Sequence, residues 1–384
     1  MTEDDSFTVD VSAARLADLR HRLRATRRVP RVLPGWSGGT DPDWLHGFVA
    51  YWADAFDWPA VQGRIDALPQ RILAVAGTAV HVIEVPGVAS AGRSPLPLVL
   101  THGWPSTFLE FERVIGPLTD PTAFGGDAED AFTVVIPSLP GFGWSGLPPD
   151  GAVQPARIAA IWDELLVRHL GHPRFGAAGG DIGAHVTNFL GAMHADHVVG
   201  VATHHPPLHP PIDPALPLTD EERAYLADRA AEPGYDAAYA AVQESRPDTL
   251  AAALADSPAG LAAWIAEKYH DWTDGDVDEV IGPETLAAIV SVYWFSGCIG
   301  SSFRPYSDDA ATPDLPPIEV PAAVSLTPED AGYPRSFAER SYRDLRQWRG
   351  PDRGGHFLAL ENPARYVTDL RDFFRPLRAS ADLL

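Results

Sequence analysis

Gly179-Gly180-Asp181-Ile182-Gly183 is the stretch on which the fold turns. It follows an apolar run over 174–178 and precedes a segment of helical spacing that begins near Ala184. Strand, sharp turn and helix in that order form a nucleophile elbow. Small residues two before and two after the central position let the backbone turn tightly enough to present one side chain to a pocket. Here that side chain is a carboxylate. A carboxylate attacking carbon leaves an ester that activated water can hydrolyse, whereas serine would leave an ether. The elbow therefore predicts substitution at carbon.

Working outward, strands and helices alternate. The pattern predicts a strand over 98–101, a helix over 107–115 with Thr107 and Glu110 as a capping box, a strand over 132–136 and a helix over 155–170. In the last of these, Ile158, Ile161, Trp162, Leu165, Leu166 and His169 follow helical spacing. After the elbow come a helix to about 195 and a strand over 198–202. The sum is α/β: a mostly parallel, doubly covered sheet with an α/β-hydrolase fold. At Pro206 the pattern changes to a proline-rich loop and helices, with Thr219 and Glu222 capping one, Ser257 and Pro258 starting another, and a third over 283–293. Strand character returns over 318–325 and 345–348, before a final helix from Pro363. The expected divisions are an N-terminal helical extension (1–70), a core in two parts (71–205 and 310–384) and a helical cap insertion (206–309). In the extension, Ser12 caps a helix carrying Leu16, Leu19 and Leu23, and an aromatic-striped helix spans 43–56; the core then opens with a hairpin over 72–85 that breaks at Gly77 and Thr78.

Composition narrows the function. With 384 residues, 45% of them hydrophobic, the chain has material for a large core. A net charge of −23 argues against nucleic acid and anionic membranes as partners. The acidic start and the lack of an early apolar run or a later uninterrupted one of about 18 residues predict a cytoplasmic protein. The lone Cys298 allows no intrachain disulfide and no cysteine-built zinc site; its setting reads as a buried small hydrophobe.

Thr101-His102-Gly103-Trp104-Pro105 follows the first core strand, where a hydrolase of this fold supplies one oxyanion-hole amide, the other coming from the residue after the nucleophile. Those amides are Trp104 and Ile182. A base must follow in chain order, and Gly354-Gly355-His356-Phe357 places His356 between a strand and the last helix. Its orienting acid is Glu329 or Asp330, and spacing alone does not choose. A ring-opened oxygen also needs a proton donor, and Tyr225, Tyr235, Tyr239, Tyr269, Tyr293 and Tyr306 all lie in or beside the cap. His204, His205 and His209 lack the paired spacing of a metal site, so no metal or other cofactor is expected. Gly143-Trp144-Ser145-Gly146 mimics a serine elbow but has Leu147 where a small residue belongs, and Asp271, Asp274, Asp276 and Asp278 fail the glycine and glutamate positions of a calcium loop.

The assembled motifs resemble the microsomal-type epoxide hydrolases, including soluble bacterial members. The likeness covers nearly the whole chain. It is carried by Phe56-Asp57-Trp58, His102 to Pro105, the elbow, Arg246-Pro247-Asp248-Thr249 followed by Asp256 to Ala262, and Gly354 to Phe357. The resemblance implies Tyr239 and Tyr306 as the two proton-donating tyrosines and Asp330, two residues after Pro328, as the acid. This chain departs from the family pattern in lacking the eukaryotic membrane anchor, in having Ile182 rather than an aromatic residue, and in an aspartate acid. The activity implied is opening of an epoxide to a vicinal diol through an Asp181 ester that His356-activated water hydrolyses. The aromatic-rich pocket fits a bulky or aryl epoxide, and similar bacterial proteins occur in antibiotic biosynthesis and detoxification. A homodimer is allowed but not required. The rival readings are a haloalkane dehalogenase-like hydrolase, which would need a halide donor that Ile182 does not supply, and a non-catalytic ligand-binding relative.

Overall fold

The structure, a computed structural model, describes residues 6–89, 94–207, 216–231, 237–308 and 311–378. Its centre is an eight-stranded sheet: β1 (Gln70–Val75), β2 (Thr78–Val85), β3 (Leu96–Thr101), β4 (Phe132–Pro137), β5 (Phe175–Gly179), β6 (Val198–Thr203), β7 (Ala322–Ser325) and β8 (Leu345–Arg349), in the order β1-β2-β4-β3-β5-β6-β7-β8. The hairpin β1–β2 joins antiparallel and β2 meets β4 antiparallel; every other pairing is parallel. The hairpin closes through Ala76 and Gly77, both at positive φ (48° and 80°), the backbone hand that matches strand twist in a two-residue turn. β5 is buried along its whole length, as a central parallel strand covered by helices on both faces must be.

The covering helices have local causes. Ser12 accepts from the Arg15 N–H at the start of Ala13–Arg24, and Asp41 accepts from the Asp43 and Trp44 N–H groups at the start of Pro42–Asp54. The aromatic stripe read as one helix to 56 ends at Asp54, because Asp57 caps a separate helix, Trp58–Asp66. The helix expected over 107–115 is a 3₁₀ turn, Phe108–Phe111, followed by Glu112–Thr119. Pro155–Glu164 continues into a π turn, Leu165–His169. The strand expected from 318 forms only over Ala322–Ser325; Ile318 makes an isolated bridge to Tyr342, and Pro321, which has no N–H to give a ladder, separates the two.

Between β6 and β7 the described residues are helical: Asp220–Ala231, Ala238–Ser245, Pro247–Asp256, Pro258–Trp272, Val277–Val280, Pro283–Ser296 and Arg304–Asp308. Two sets of contacts tie this insertion down. Glu222 and Arg340 form a buried two-pronged ion pair (2.9 and 2.7 Å), which holds the Glu222 carboxylate at a pKa of about 2. On the other side, Trp52 Nε1 donates to Ser291 Oγ (2.9 Å), Arg15 donates to the Phe295 carbonyl, and Trp58 packs on Phe295. Among the described residues no single helix is long and apolar enough to cross a membrane.

Candidate active site

β3 sits between β4 and β5, so the chain leaves it in opposite directions on its two sides, and the loops after β3 and β5 open a crevice at the carboxyl ends of the strands. Thr101 pairs with Gly179 there, which sets His102 to Trp104 beside Asp181. Asp181 adopts φ 53°, ψ −129°, a conformation costing about 1–3 kcal/mol for a residue with a Cβ. Its neighbours make room. A Cβ on Gly183 would lie 1.9 Å from the Thr101 carbonyl oxygen, and one on Gly103 would lie 2.3 Å from Asp181 Oδ1. Helix Ile182–Met193 begins at the next residue, with its positive end toward the carboxylate.

The Trp104 N–H donates to Asp181 Oδ1 (2.9 Å), and the Ile182 N–H is close enough to help lower the pKa of the carboxylate. The two amides expected in an oxyanion hole thus converge on this side chain. Burial alone would raise the Asp181 pKa, but charged His356 and the Ile182 and Trp104 amides outweigh it and hold the group at about 2.

His356 comes from the loop after β8. Its own N–H donates to the Trp272 carbonyl (2.9 Å), while the Gly355 and Phe357 N–H groups donate to Glu361 (2.7 and 2.9 Å), so the loop is fixed on both sides of the imidazole. His356 Nε2 lies 3.6 Å from Asp181 Oδ2, an ion-pair contact rather than a hydrogen bond. On the ring's other side, Nδ1 meets Glu329 Oε1 at 3.2 Å. Burial disfavours the charged imidazolium, yet Glu329 and Asp181 together raise its pKa well above the ordinary value.

The carboxylate facing His356 is therefore Glu329, and not Asp330 as the resemblance implied. Asp330 Oδ2 accepts instead from the Thr327 N–H (2.9 Å) and Thr327 Oγ1–H (3.1 Å), closing a capping box on the 3₁₀ turn Pro328–Asp330. That cap occupies Asp330 Oδ2, while the carboxylate in contact with His356 is that of Glu329.

Tyr239 and Tyr306 come together over Trp104. Tyr239 stacks on the indole (5.3 Å between centroids, 12°), Tyr306 meets it edge-on (6.0 Å), and the two tyrosines lie 5.9 Å apart, joined by a side-chain hydrogen bond. Burial keeps the Tyr306 hydroxyl well above its ordinary pKa, so it remains a donor. Trp272 and Phe303 complete the aromatic wall. The other candidates serve packing: Tyr225 lies against Tyr333, Tyr269 stacks on Phe357 and the Tyr293 hydroxyl donates to the Ser106 carbonyl. Tyr235 and His209 lie outside the described residues.

Several neighbours of the site were not singled out for it by the sequence reading. Glu110 does not reach back to Thr107; its carboxyl is buried, and burial lifts its pKa to about 8. Lys268 is buried with its ammonium 4.7 Å from the Tyr239 ring centre. His204 and His205 follow β6, and the His205 ring lies 4.4 Å from that of His356. Their signal was positional, since strand ends in such a sheet converge on the ligand crevice. The decoys resolve as turns: Ser145 Oγ donates to the Ser138 carbonyl (2.8 Å), Asp276 caps Val277–Val280, Asp278 accepts from Trp44, and Asp274 accepts from the Gly354 N–H.

The mostly parallel sheet, with a carboxylate on the sharp turn between β5 and the following helix and a histidine 3.6 Å from it, defines an α/β-hydrolase. Residues 97–249 match the family described as "alpha/beta hydrolase fold", and residues 5–111 match "Epoxide hydrolase N terminus". A protein of Stigmatella aurantiaca named as an epoxide hydrolase is 39% identical over 97% of this chain and 85% of its own length. Epoxide hydrolase 1 of Oryctolagus cuniculus is 30% identical, over 97% and 89%. The solved epoxide hydrolase of Aspergillus niger superposes with a TM-score of 0.82 at 27% identity, covering 98% of this chain and 97% of that one. This chain belongs to the epoxide hydrolase family, and it is an enzyme acting on small-molecule epoxides.

Proposed function

We propose that Asp181 opens the epoxide and that His356 drives hydrolysis of the resulting ester. Asp181 Oδ2 attacks one ring carbon. The carbon–oxygen bond of the ring breaks, and the oxygen takes a hydrogen bond and then a proton from the Tyr239–Tyr306 pair. The ester no longer carries the Asp181 charge that helped hold His356 protonated, so the imidazole can give up its proton and then accept one from water at Nε2. The hydroxide formed adds to the Asp181 carbonyl carbon, and the charge developing on Oδ1 falls to the Trp104 and Ile182 amides. Collapse breaks the ester, releases a vicinal diol and restores the carboxylate. Glu329 orients His356 and stabilises its charge.

The observation that carries this reading is the division of the Asp181 carboxylate, one oxygen on the Trp104 amide and the other facing His356. The aromatic wall of Trp104, Tyr239, Trp272, Phe303 and Tyr306 supports an epoxide with a bulky or aryl substituent. The Ile182 side chain gives a halide no N–H, which weighs against haloalkane dechlorination.

The test uses styrene oxide enantiomers and an aliphatic epoxide with wild-type, Asp181→Ala and His356→Gln proteins. Wild type should form diol, Asp181→Ala none, and His356→Gln should accumulate protein heavier by one substrate. Diol formation by Asp181→Ala would overturn the mechanism.

A further inference from the structure

On the side of the His356 ring turned away from Asp181, a second histidine meets the same carboxylate oxygen. His205 is buried at the end of β6, and its Nδ1 lies 3.4 Å from Glu329 Oε1; His356 Nδ1 lies 3.2 Å from that same atom. One ligand atom from each of the three residues lies within 4.8 Å of the other two. A tetrahedral Zn²⁺ with bonds of about 2.0–2.1 Å spaces its ligand atoms about 3.3 Å apart. Both contacts to Glu329 lie close to that spacing. Two imidazole nitrogens and a carboxylate oxygen form a zinc donor set, with the fourth position left to water.

The approach also suits a cation. The Glu329 side chain is 35% exposed and lines a cavity of about 280 Å³ together with Glu221, Asp228 and Arg229. Three carboxylates against one guanidinium bias that mouth toward positive ions. The lone thiol is no competitor, since Cys298 is buried and burial pushes it up to about 11.

We propose that His205, Glu329 and His356 form an inhibitory Zn²⁺ site that arrests the enzyme at the ester. The consequence for turnover rests on the mechanism above. Zn²⁺ binding at Nδ1 of His356 displaces the proton shared with Glu329, and the neutral ring then carries its hydrogen on Nε2, facing Asp181. In that form it cannot take a proton from water. Asp181, Tyr239 and Tyr306 are not ligands, so the carbon–oxygen bond to Asp181 still forms. Chelation restores Nδ1–H and with it hydrolysis.

The experiment uses the full chain in metal-free buffer and Zn²⁺ alone as the probe. Calorimetry should give one Zn²⁺ per chain for wild type, and His205→Leu or, should that variant fail to fold, His205→Gln should need at least about tenfold more Zn²⁺ for half-saturation. Either variant should keep diol turnover without metal. Zinc-loaded wild type mixed with styrene oxide should show the ester adduct by mass spectrometry without diol, and a chelator should release the diol. Unchanged zinc affinity in a folded His205 variant would overturn the site. Zinc that prevents adduct formation, or leaves diol formation untouched, would overturn the arrest. Binding is read without turnover, so failure of the mechanism, seen as no adduct in metal-free His356→Gln, stays distinct from failure of the site.

Discussion

Glu329→Gln and Asp330→Asn exchange one carboxylate each for its amide at adjacent positions, and the structure predicts opposite results. Glu329 accepts from His356 Nδ1 at 3.2 Å, whereas Asp330 caps Thr327. A hydrogen bond to a charged group is worth about 1.5–3 kcal/mol. With its side chain 35% exposed, Glu329 should deliver the lower figure, because solvent screens it. About 1.5 kcal/mol lost from the hydrolytic transition state is about a tenfold slower step. Asparagine at 330 still offers Oδ1 to the Thr327 N–H, so its cost is a fraction of the roughly 1 kcal/mol of a lost cap and falls on stability. Single-turnover mixing with styrene oxide, quenched and analysed by mass, follows growth and decay of the adduct. Glu329→Gln should slow decay about tenfold while leaving growth near wild type; Asp330→Asn should leave both unchanged and lower the melting temperature slightly. Slowed decay in Asp330→Asn, with Glu329→Gln unaffected, would refute the assignment and return the role to Asp330.

Tyr239→Phe and Tyr306→Phe should each slow adduct growth, by about 10²-fold for a lost proton donor, and leave decay of a preformed adduct alone. Glu110→Gln tests a buried carboxyl through stability. Its folded pKa of about 8 lies above the ordinary 4.5, so its stabilising contribution is complete below about 4.5 and is lost as pH rises through about 8. The melting temperature of Glu110→Gln relative to wild type should therefore climb from pH 5 to pH 8, and parallel curves would contradict the burial argument. Gly103→Ala brings a Cβ to 2.3 Å from Asp181 Oδ1, so either the carboxylate or the loop must shift. In a His356→Gln background it should cut the initial rate of adduct formation at least about tenfold, since misplacement near 1 Å is costly. A full-rate adduct would show that the site tolerates the shift.

The elbow, the parallel core and the loop that carries His356 were legible because each is written in contiguous residues or in a period. Side-chain direction within a turn was harder, and three matching patterns show why. Thr219-x-x-Glu222, Thr107-x-x-Glu110 and Thr327-x-x-Asp330 all fit a capping box. The first forms it (2.8 and 3.2 Å), at the mouth of an exposed helix. The second does not, because tertiary packing buries the Glu110 carboxyl, 3.9 Å from His204 Nε2, instead of leaving it to turn back to Thr107. The third does, and by occupying Asp330 it leaves Glu329 to His356. The signal that separates Glu329 from Asp330 was thus present in the sequence, but its weight depended on which residues the fold would bury. Tyr239 and Tyr306 are far apart in the chain, and local pattern did not rank them above Tyr269 or Tyr293; the resemblance did, and the structure brings both to Trp104.

The ties that hold the helical insertion also decide how molecules pass it. Glu222 is locked to Arg340 at its beginning, and Pro283–Ser296, with nine buried residues, is gripped from the N-terminal side through Ser291 and Phe295. Lifting the insertion as a whole would break a buried ion pair and strip an apolar helix. Ala238–Ser245 buries only Gln243, so it shifts at less cost than Pro283–Ser296. That short helix carries Tyr239. One half of the tyrosine pair thus rides on a lightly anchored helix while Tyr306 follows the gripped one, so a shift of Ala238–Ser245 would part the two rings that now lie 5.9 Å apart.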